Sequence, residues 1–268
     1  MPHNHVTPEF EASRSGDGSS GEPQSTPPIS EQPGVQVASH DTADAQPLRA
    51  RVLSLWDSLG ISWRLIEFVL LFFAVPAAAA WRLQSPPVWI LIWSSSLTCL
   101  ALLLLDKSFN RDRLFNSKEI PPAVPRIVGV WVVAAAALTW LVYEFHRQHL
   151  FNFPASKPWL WALVMVAYPI LSVYPQSIVY RTFIFHRYQS VFPSRWGMIW
   201  ASAISFSFAH IIFHNWIALG LTAIGGILFA HTYTRTRSTL ASALEHALYG
   251  CWVFTVGLGS ALYHGTVQ

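Results

Sequence analysis

The chain opens with a polar stretch and continues as a series of long apolar runs. Residues 1–50 are rich in Ser, Pro, Gly and Gln and show no apolar period, which predicts a disordered tail. They also lack the basic start and apolar stretch of a signal peptide, so we expect no cleavage there. Residues 51–268 hold runs that approach or exceed the roughly 20 apolar residues a membrane-spanning helix needs. The pattern predicts an all-α, polytopic transmembrane domain over residues 51–268.

Seven apolar runs predict about seven transmembrane helices. The runs cover residues 61–81, 88–105, 127–145, 158–185, 196–213, 216–233 and 239–262. The fourth run is too long for one straight span, and Pro169 and Pro175 interrupt it. Proline removes a helical hydrogen bond and clashes with the preceding turn. We therefore expect a proline-broken fourth element, either kinked or divided into two helices that meet near Tyr174.

Composition and charge support a membrane location and indicate an orientation. Hydrophobic residues make up 52% of the chain and charged residues only 12%, against about 25% charged residues in soluble domains. The basic residues concentrate in alternate connections between the apolar runs, which predicts that the N-terminus lies inside and the C-terminus outside. The formal net charge is only +3, so we interpret the basic residues as a sign of membrane topology. Membrane lipid is therefore expected as a partner, and nucleic acid is not.

Polar side chains interrupt the apolar runs in the second half of the chain. Ionisable groups inside a bilayer are costly and usually mark function. At about 1.5 Å of rise per residue, Gln176, His210 and His246 lie near the middle of the membrane. The sequence thus predicts a site between the fourth, fifth and seventh helices. Its candidate residues are Gln176, Arg181, His210, His214, Glu245 and His246.

Two of these residues also fit structural roles. His210 fits a core histidine that is hydrogen bonded to a backbone carbonyl. Glu245 is the sole acidic residue after Glu144, and it is the obvious counter-ion for a buried Arg181.

The order of the polar groups resembles that of a known family. Three segments carry the resemblance: Gln176-Ser177-x-x-x-Arg181, Phe206-x-x-x-His210 and His246-x-x-x-Gly250. They are similar to the motifs Glu-Glu-x-x-x-Arg, Phe-x-x-x-His and His-x-x-x-Asn of the CPBP intramembrane proteases. That family includes the CAAX prenyl endopeptidases and bacteriocin-processing or self-immunity proteins. The resemblance implies a protease-like core over about residues 158–262.

The resemblance implies a role for each matched residue. His210 and His246 stand at the catalytic histidines, and Gln176 stands at the glutamate that activates water. Gly250 replaces the Asn that, in the family, would help bind the oxyanion. Gln cannot take a proton from water as a carboxylate can. Ser177 stands at a second glutamate and cannot neutralise Arg181.

Two substitutes for the missing carboxylates remain open. Glu245 can supply the acid or base if the seventh helix turns it into the same cavity as His246, although neighbouring helical residues point about 100° apart. Alternatively, His210 and His214 are spaced for one helical face, and with His246 they would form a three-histidine zinc site. No other cofactor is expected.

The resemblance implies an intramembrane endopeptidase. The enzyme would hydrolyse membrane-associated peptides or proteins, including prenylated substrates of the CAAX type, in the cytoplasmic membrane of a bacterium. The loss of both motif carboxylates favours the alternative of an inactive relative that acts as a membrane scaffold or immunity-type protein. A transporter is a third interpretation, and it would predict inverted repeats that the sequence does not show.

Overall fold

The computed structural model describes residues 59–82 and 88–259, and the predicted polar tail lies outside these residues. The described part of the chain is helical and contains no strand, which confirms the predicted all-α fold. We number the seven long helices in chain order. They are α1 (Leu59–Arg82), α2 (Val88–Leu105), α3 (Ile120–Phe145), α4 (Pro158–Arg187), α5 (Arg195–Phe213), α6 (Trp216–Thr236) and α7 (Thr239–Thr255).

Helices α1 to α6 are long and apolar enough to cross a membrane. They correspond closely to the first six apolar runs of the sequence, so a polytopic membrane bundle is confirmed. Helix α7 has 17 residues and carries Glu245 and His246 in its middle. A seventh span therefore stays a prediction.

The N-terminal end of α3 differs from the sequence prediction. The third apolar run begins at residue 127, whereas α3 begins at Ile120, and Pro121 and Pro122 form its first turn. Proline is well tolerated there because the first amide groups of a helix have no intrahelical partner. As a result Arg126 belongs to the helix instead of the loop before it.

Helix α4 continues through Pro169 and Pro175, so of the two alternatives expected for this element the division into two helices near Tyr174 is excluded. Wider π-helical turns at Pro169–Val173 and Ile178–Phe183 interrupt the α-helical winding without ending the helix. Such turns absorb an extra residue and often occur at functional sites. The second π turn holds Arg181.

Burial is uneven along the bundle. Only 11% of the most apolar segment of each of the helices α1, α2 and α3 is buried in the protein, against 44% for α5 and α6. Helices α5 and α6 pack closely because Gly226 has no side chain, and a Cβ there would lie 3.0 Å from Ala203 Cα. The interior of the bundle is therefore built mainly from the second half of the chain, to which α1 and α2 add Phe68, Phe72, Cys99 and Leu103.

An ionic cluster joins α1 to the C-terminal end of α4. The Arg187 guanidinium donates two hydrogen bonds to the Glu67 carboxylate, at 2.6 and 2.8 Å, and the Tyr188 hydroxyl donates a third at 2.9 Å. Fork-shaped pairs of this kind are strong and fix the relative orientation of both side chains. They hold α1 against the helix that carries Gln176 and Arg181.

A second polar contact secures the connection that follows α2. The Asp106 carboxylate lies 2.8 Å from His186 Nε2 and accepts hydrogen bonds from the Ser108 hydroxyl and amide. The His186 bond, assisted by Ser108, lowers the pKa of the Asp106 carboxyl to about 2. The end of α2 is thus tied to the end of α4.

Candidate active site

A cavity of about 880 Å³ lies among the helices and is lined mainly by apolar side chains. The described lining residues include both histidines expected in the site and several hydroxyl and amide side chains. Those nearest the predicted site are Tyr168, Ser172 and Gln176 from α4, His210 from α5, and His246 and Tyr249 from α7. No Asp or Glu is found among the described lining residues. A large apolar cavity with a few convergent polar groups is typical of a small-molecule or peptide site.

The ring of Phe206 lies where the three helices meet. Its centroid is 4.8 Å from the ring of His210 and 5.3 Å from the ring of His246. The guanidinium carbon of Arg181 lies over the same ring, 4.8 Å from its centroid. The helices α4, α5 and α7, predicted to share a site, therefore converge on one aromatic side chain.

Arg181 is a buried cation that lies beside the cavity without lining it. Its side chain donates hydrogen bonds to Ser202 Oγ at 2.8 Å and to the Tyr180 carbonyl at 3.3 Å. The faces of Phe206 and Phe229 lie 4.8 and 5.7 Å from the guanidinium carbon. Aromatic faces stabilise a desolvated cation by about 2 kcal/mol or more. In the described part of the chain no carboxylate lies within salt-bridge distance of Arg181.

A hydrogen bond to the backbone determines which ring nitrogen of His210 carries the proton. Its Nδ1 lies 2.7 Å from the Phe206 carbonyl oxygen, and a carbonyl can only accept, so Nδ1 carries the proton. In the neutral ring, Nε2 then keeps its lone pair. The hydrogen bond of a core histidine is thus present, but the ring also lines the cavity.

The three-histidine metal set is not formed. A 3₁₀ turn runs from His210 to Phe213, and His214 follows with a left-handed backbone at φ 49°. These changes break the α-helical spacing that would have placed His210 and His214 on one face. His214 is exposed and does not line the cavity. Across the residues that the structure describes, no group of three metal-ligating side chains gathers.

His246 is held between aromatic rings. Its imidazole stacks on Phe229, with 4.6 Å between centroids and 18° between planes. The hydroxyl of Tyr168 lies 3.4 Å from its Nε2. The ring is thus fixed by packing and by one polar contact, with one edge toward the cavity.

Glu245 faces away from this cavity. Its carboxylate accepts a hydrogen bond from the Thr232 hydroxyl and pairs with Arg126 at 3.3 Å. It is fully buried and is not among the lining residues. The seventh helix turns His246 into the cavity, so its neighbour points about 100° away, toward α3 and α6. The predicted pairing of Glu245 with Arg181 is therefore replaced by pairing with Arg126, and Glu245 offers no acid or base to the cavity.

Gln176 presents an unpaired acceptor. Its Nε2 donates to Ser172 Oγ at 2.7 Å, whereas its buried Oε1 has no hydrogen-bond partner. Ser177, one residue on, donates its hydroxyl to the Val173 carbonyl at 2.8 Å and does not line the cavity. Since buried acceptors are rarely left unpaired, Gln176 Oε1 is suited to accept a bond from a bound molecule or water.

Sequence reasoning missed two contributors to the site, Tyr168 and Phe229, and also the partner of Glu245. Arg181 was expected as the counter-ion of Glu245, and Arg126, which directly precedes the third apolar run, was not considered. Phe229 carries no sequence signal, because α6 is apolar throughout and its inner face cannot be identified from periodicity. Tyr168 places a hydroxyl group inside an otherwise apolar part of the fourth run, which was a usable signal.

The fold and this site together define a class: a polytopic helical membrane protein with a histidine-lined cavity between its helices. Residues 154–252 match the family model described as Type II CAAX prenyl endopeptidase Rce1-like. The match confirms the resemblance to the CPBP proteases over this region, which contains every candidate catalytic residue. No curated protein and no solved structure matched the chain. The family match supports an intramembrane protease of the CAAX type.

Proposed function

We propose that the chain is an intramembrane endopeptidase that hydrolyses peptide bonds of membrane-associated substrates, including prenylated ones of the CAAX type. The observation that carries the proposal is the hydrogen bond from His210 Nδ1 to the Phe206 carbonyl, at 2.7 Å. It leaves Nε2 as a base on a ring that lines the cavity, whose described lining residues include no carboxylate. A neutral histidine is the side chain best suited to accept a proton near neutral pH.

The proposed reaction uses water as the nucleophile. His210 Nε2 takes a proton from a water molecule while the oxygen of that water attacks the peptide carbonyl carbon. The product is a tetrahedral intermediate in which the former carbonyl oxygen is negatively charged. The carbon–nitrogen bond then breaks, and the proton passes from His210 to the leaving amine. Gln176 Oε1 accepts a hydrogen bond from the substrate or from the water. The apolar remainder of the cavity accommodates the lipid-like part of the substrate.

The experiment that tests this function uses the full-length protein in liposomes. A peptide bearing a farnesylated cysteine near its C-terminus serves as substrate, and the same peptide without the farnesyl group serves as its control. We expect cleavage of the membrane-anchored peptide, with products identified by mass spectrometry. Absence of cleavage for both peptides and for a transmembrane peptide would contradict the proposal.

A second candidate is an inactive relative that binds partners as a membrane scaffold or immunity-type protein. The observation that favours it is the lack of a carboxylate among the described residues lining the cavity. A histidine base alone is expected to give a slow enzyme, because the family base is a glutamate that Gln176 replaces.

Restoring that carboxylate separates the two candidates. We expect Gln176→Glu to raise the cleavage rate at least about tenfold, since a carboxylate at Oε1 adds a second proton acceptor at the water. The matched control is Ser177→Glu, which places the charge outside the cavity and is expected to give no gain. Cleavage by Gln176→Glu with none by the unaltered protein would favour the inactive relative.

We further propose that the N-terminus faces the cytoplasm, because the basic connections alternate with the poorer ones. Single cysteines at Ser117 and Gln148, both exposed, would lie on opposite sides in a background without Cys99 and Cys251. A membrane-impermeant maleimide added to intact cells is expected to label Gln148→Cys at once and Ser117→Cys only after permeabilisation. The reverse pattern would invert the topology.

A further inference from the structure

The hydroxyl of Tyr168 occupies space that a side chain at residue 250 would fill. A Cβ built on Gly250 would lie 2.4 Å from Tyr168 Oη, 2.4 Å from Cε1 and 2.7 Å from Cζ. These distances are far below van der Waals contact, so even an alanine would displace the ring. Glycine 250 is helical and buried, where glycine costs roughly 1 kcal/mol relative to alanine. The bare backbone at residue 250 therefore makes room for this phenol.

The phenol placed there lies beside His246, in the cavity that His210 also lines. Tyr168 Oη lies 3.4 Å from His246 Nε2, and both residues line the cavity with His210. Its ring packs edge to face against Phe254, 5.1 Å between centroids, which fixes its direction. A phenol donates one hydrogen bond. Its distance of 3.4 Å from His246 is long for a hydrogen bond donated by a hydroxyl group. The Tyr168 O–H bond can therefore rotate to donate to a better acceptor within the cavity.

We propose that Tyr168 is a catalytic hydrogen-bond donor that binds the negatively charged oxygen of the tetrahedral intermediate, and that Gly250 is required to seat it. This assignment rests on the proposed peptidase function. As the carbonyl oxygen gains charge, the Tyr168 O–H donates to it more strongly than to the neutral carbonyl, while the phenol keeps its proton. Preorganised donors in sites that exclude water act mainly on the transition state.

The kinetic test compares Tyr168→Phe with Tyr174→Phe on the farnesylated peptide. Tyr174 is on the same helix and donates to the Leu114 carbonyl at 3.0 Å, but it does not line the cavity. We expect Tyr168→Phe to lower kcat about 100-fold with KM within about threefold of the parent. Tyr174→Phe is expected to keep kcat. Retained kcat in Tyr168→Phe would overturn the assignment.

Gly250→Ala provides a second, geometric variant. Because its methyl group displaces the phenol, we expect it to lower kcat to a similar extent in the parent. In a Tyr168→Phe background it should cause little further loss of kcat, since the hydroxyl is already gone. Additive losses would mean that residue 250 acts independently of Tyr168 and would overturn the seating role.

A binding measurement decides the role of Tyr168 even if no peptide is cleaved. The probe is a phosphonamidate peptide, in which a tetrahedral phosphorus with charged oxygens replaces the scissile carbonyl, and the parent peptide is its control. We expect Tyr168→Phe to weaken phosphonamidate binding at least about tenfold and to leave parent-peptide binding unchanged. Equal weakening of both, or of neither, would overturn the assignment. A protein that binds the probe selectively but hydrolyses nothing would refute only the peptidase function.

Discussion

Replacement of His210 by alanine is expected to lower kcat/KM for the membrane-anchored peptide about 1000-fold or more. The physical reason is that the ring holds the base of the proposed reaction, and general-base catalysis contributes about 10²–10⁴-fold. The Nδ1 bond to the Phe206 carbonyl aims the ring and fixes its tautomer. In the alanine variant water occupies the cavity without a proton acceptor in that position. Initial rates of peptide cleavage in liposomes measure the effect.

His214→Ala is the matched control, since His214 follows the same 3₁₀ turn but is exposed and outside the cavity. It is expected to cleave at the parental rate. An equal loss of activity in both variants, restored by added zinc, would instead support a metal site that includes His214. Parental activity in His210→Ala would remove His210 from the mechanism.

Replacement of Arg126 by methionine is expected to reduce the free energy of unfolding by about 3 kcal/mol or more. Glu245 is completely buried, and Arg126 is its cationic partner at 3.3 Å. Removing the cation leaves a buried carboxylate with only the Thr232 hydroxyl. Breaking a fully buried pair costs about 3–5 kcal/mol, and because the Arg126 side chain is 29% exposed we expect a loss at the lower end of this range. Equilibrium unfolding of the full-length protein in mixed micelles measures the loss.

The double variant Arg126→Met with Glu245→Met is expected to recover most of the stability, because it removes both charges together. Arg235→Met, on an exposed arginine of α6, is the control for loss of a cation alone and should leave stability nearly unchanged. If the double variant is as unstable as Arg126→Met, the loss comes from packing and the pair is not the cause.

Much of the fold could be predicted from the sequence because membrane helices are selected by length and hydropathy. The first six apolar runs correspond to α1–α6 within a few residues, and the seventh contains α7. The exceptions are prolines. Pro121 and Pro122 begin a helix, and Pro169 is absorbed by a π turn. Proline disfavours helix interiors locally, but a membrane strongly favours completing the helix around it.

The site was only partly predictable from the sequence. The depth of a residue in the membrane follows from the number of residues that separate it from the end of its helix, but the direction of its side chain depends on how the helices pack. Gln176, His210 and His246 were expected at one depth and do line one cavity. Glu245 was equally deep, but the rotation of α7 directs it to Arg126. Because Glu245 and His246 are adjacent on α7 and point about 100° apart, the sequence does not decide which of them faces the cavity, and the packing of the helix does. The role of Gly250 is visible only in the space it leaves for Tyr168.

The π turn at Ile178–Phe183 also changes how distances along α4 translate into direction. On an α-helix, residues five apart point about 140° away from each other. In a π turn they are one hydrogen-bonded turn apart, as the bond from the Ile184 amide to the Val179 carbonyl shows. Ile178 and Phe183 accordingly both enter the same buried cluster. The number of residues between two positions on this helix therefore does not by itself tell which way their side chains point, because the winding of the helix also matters. The same sequence motif on a regular α-helix would direct its last side chain to a different side.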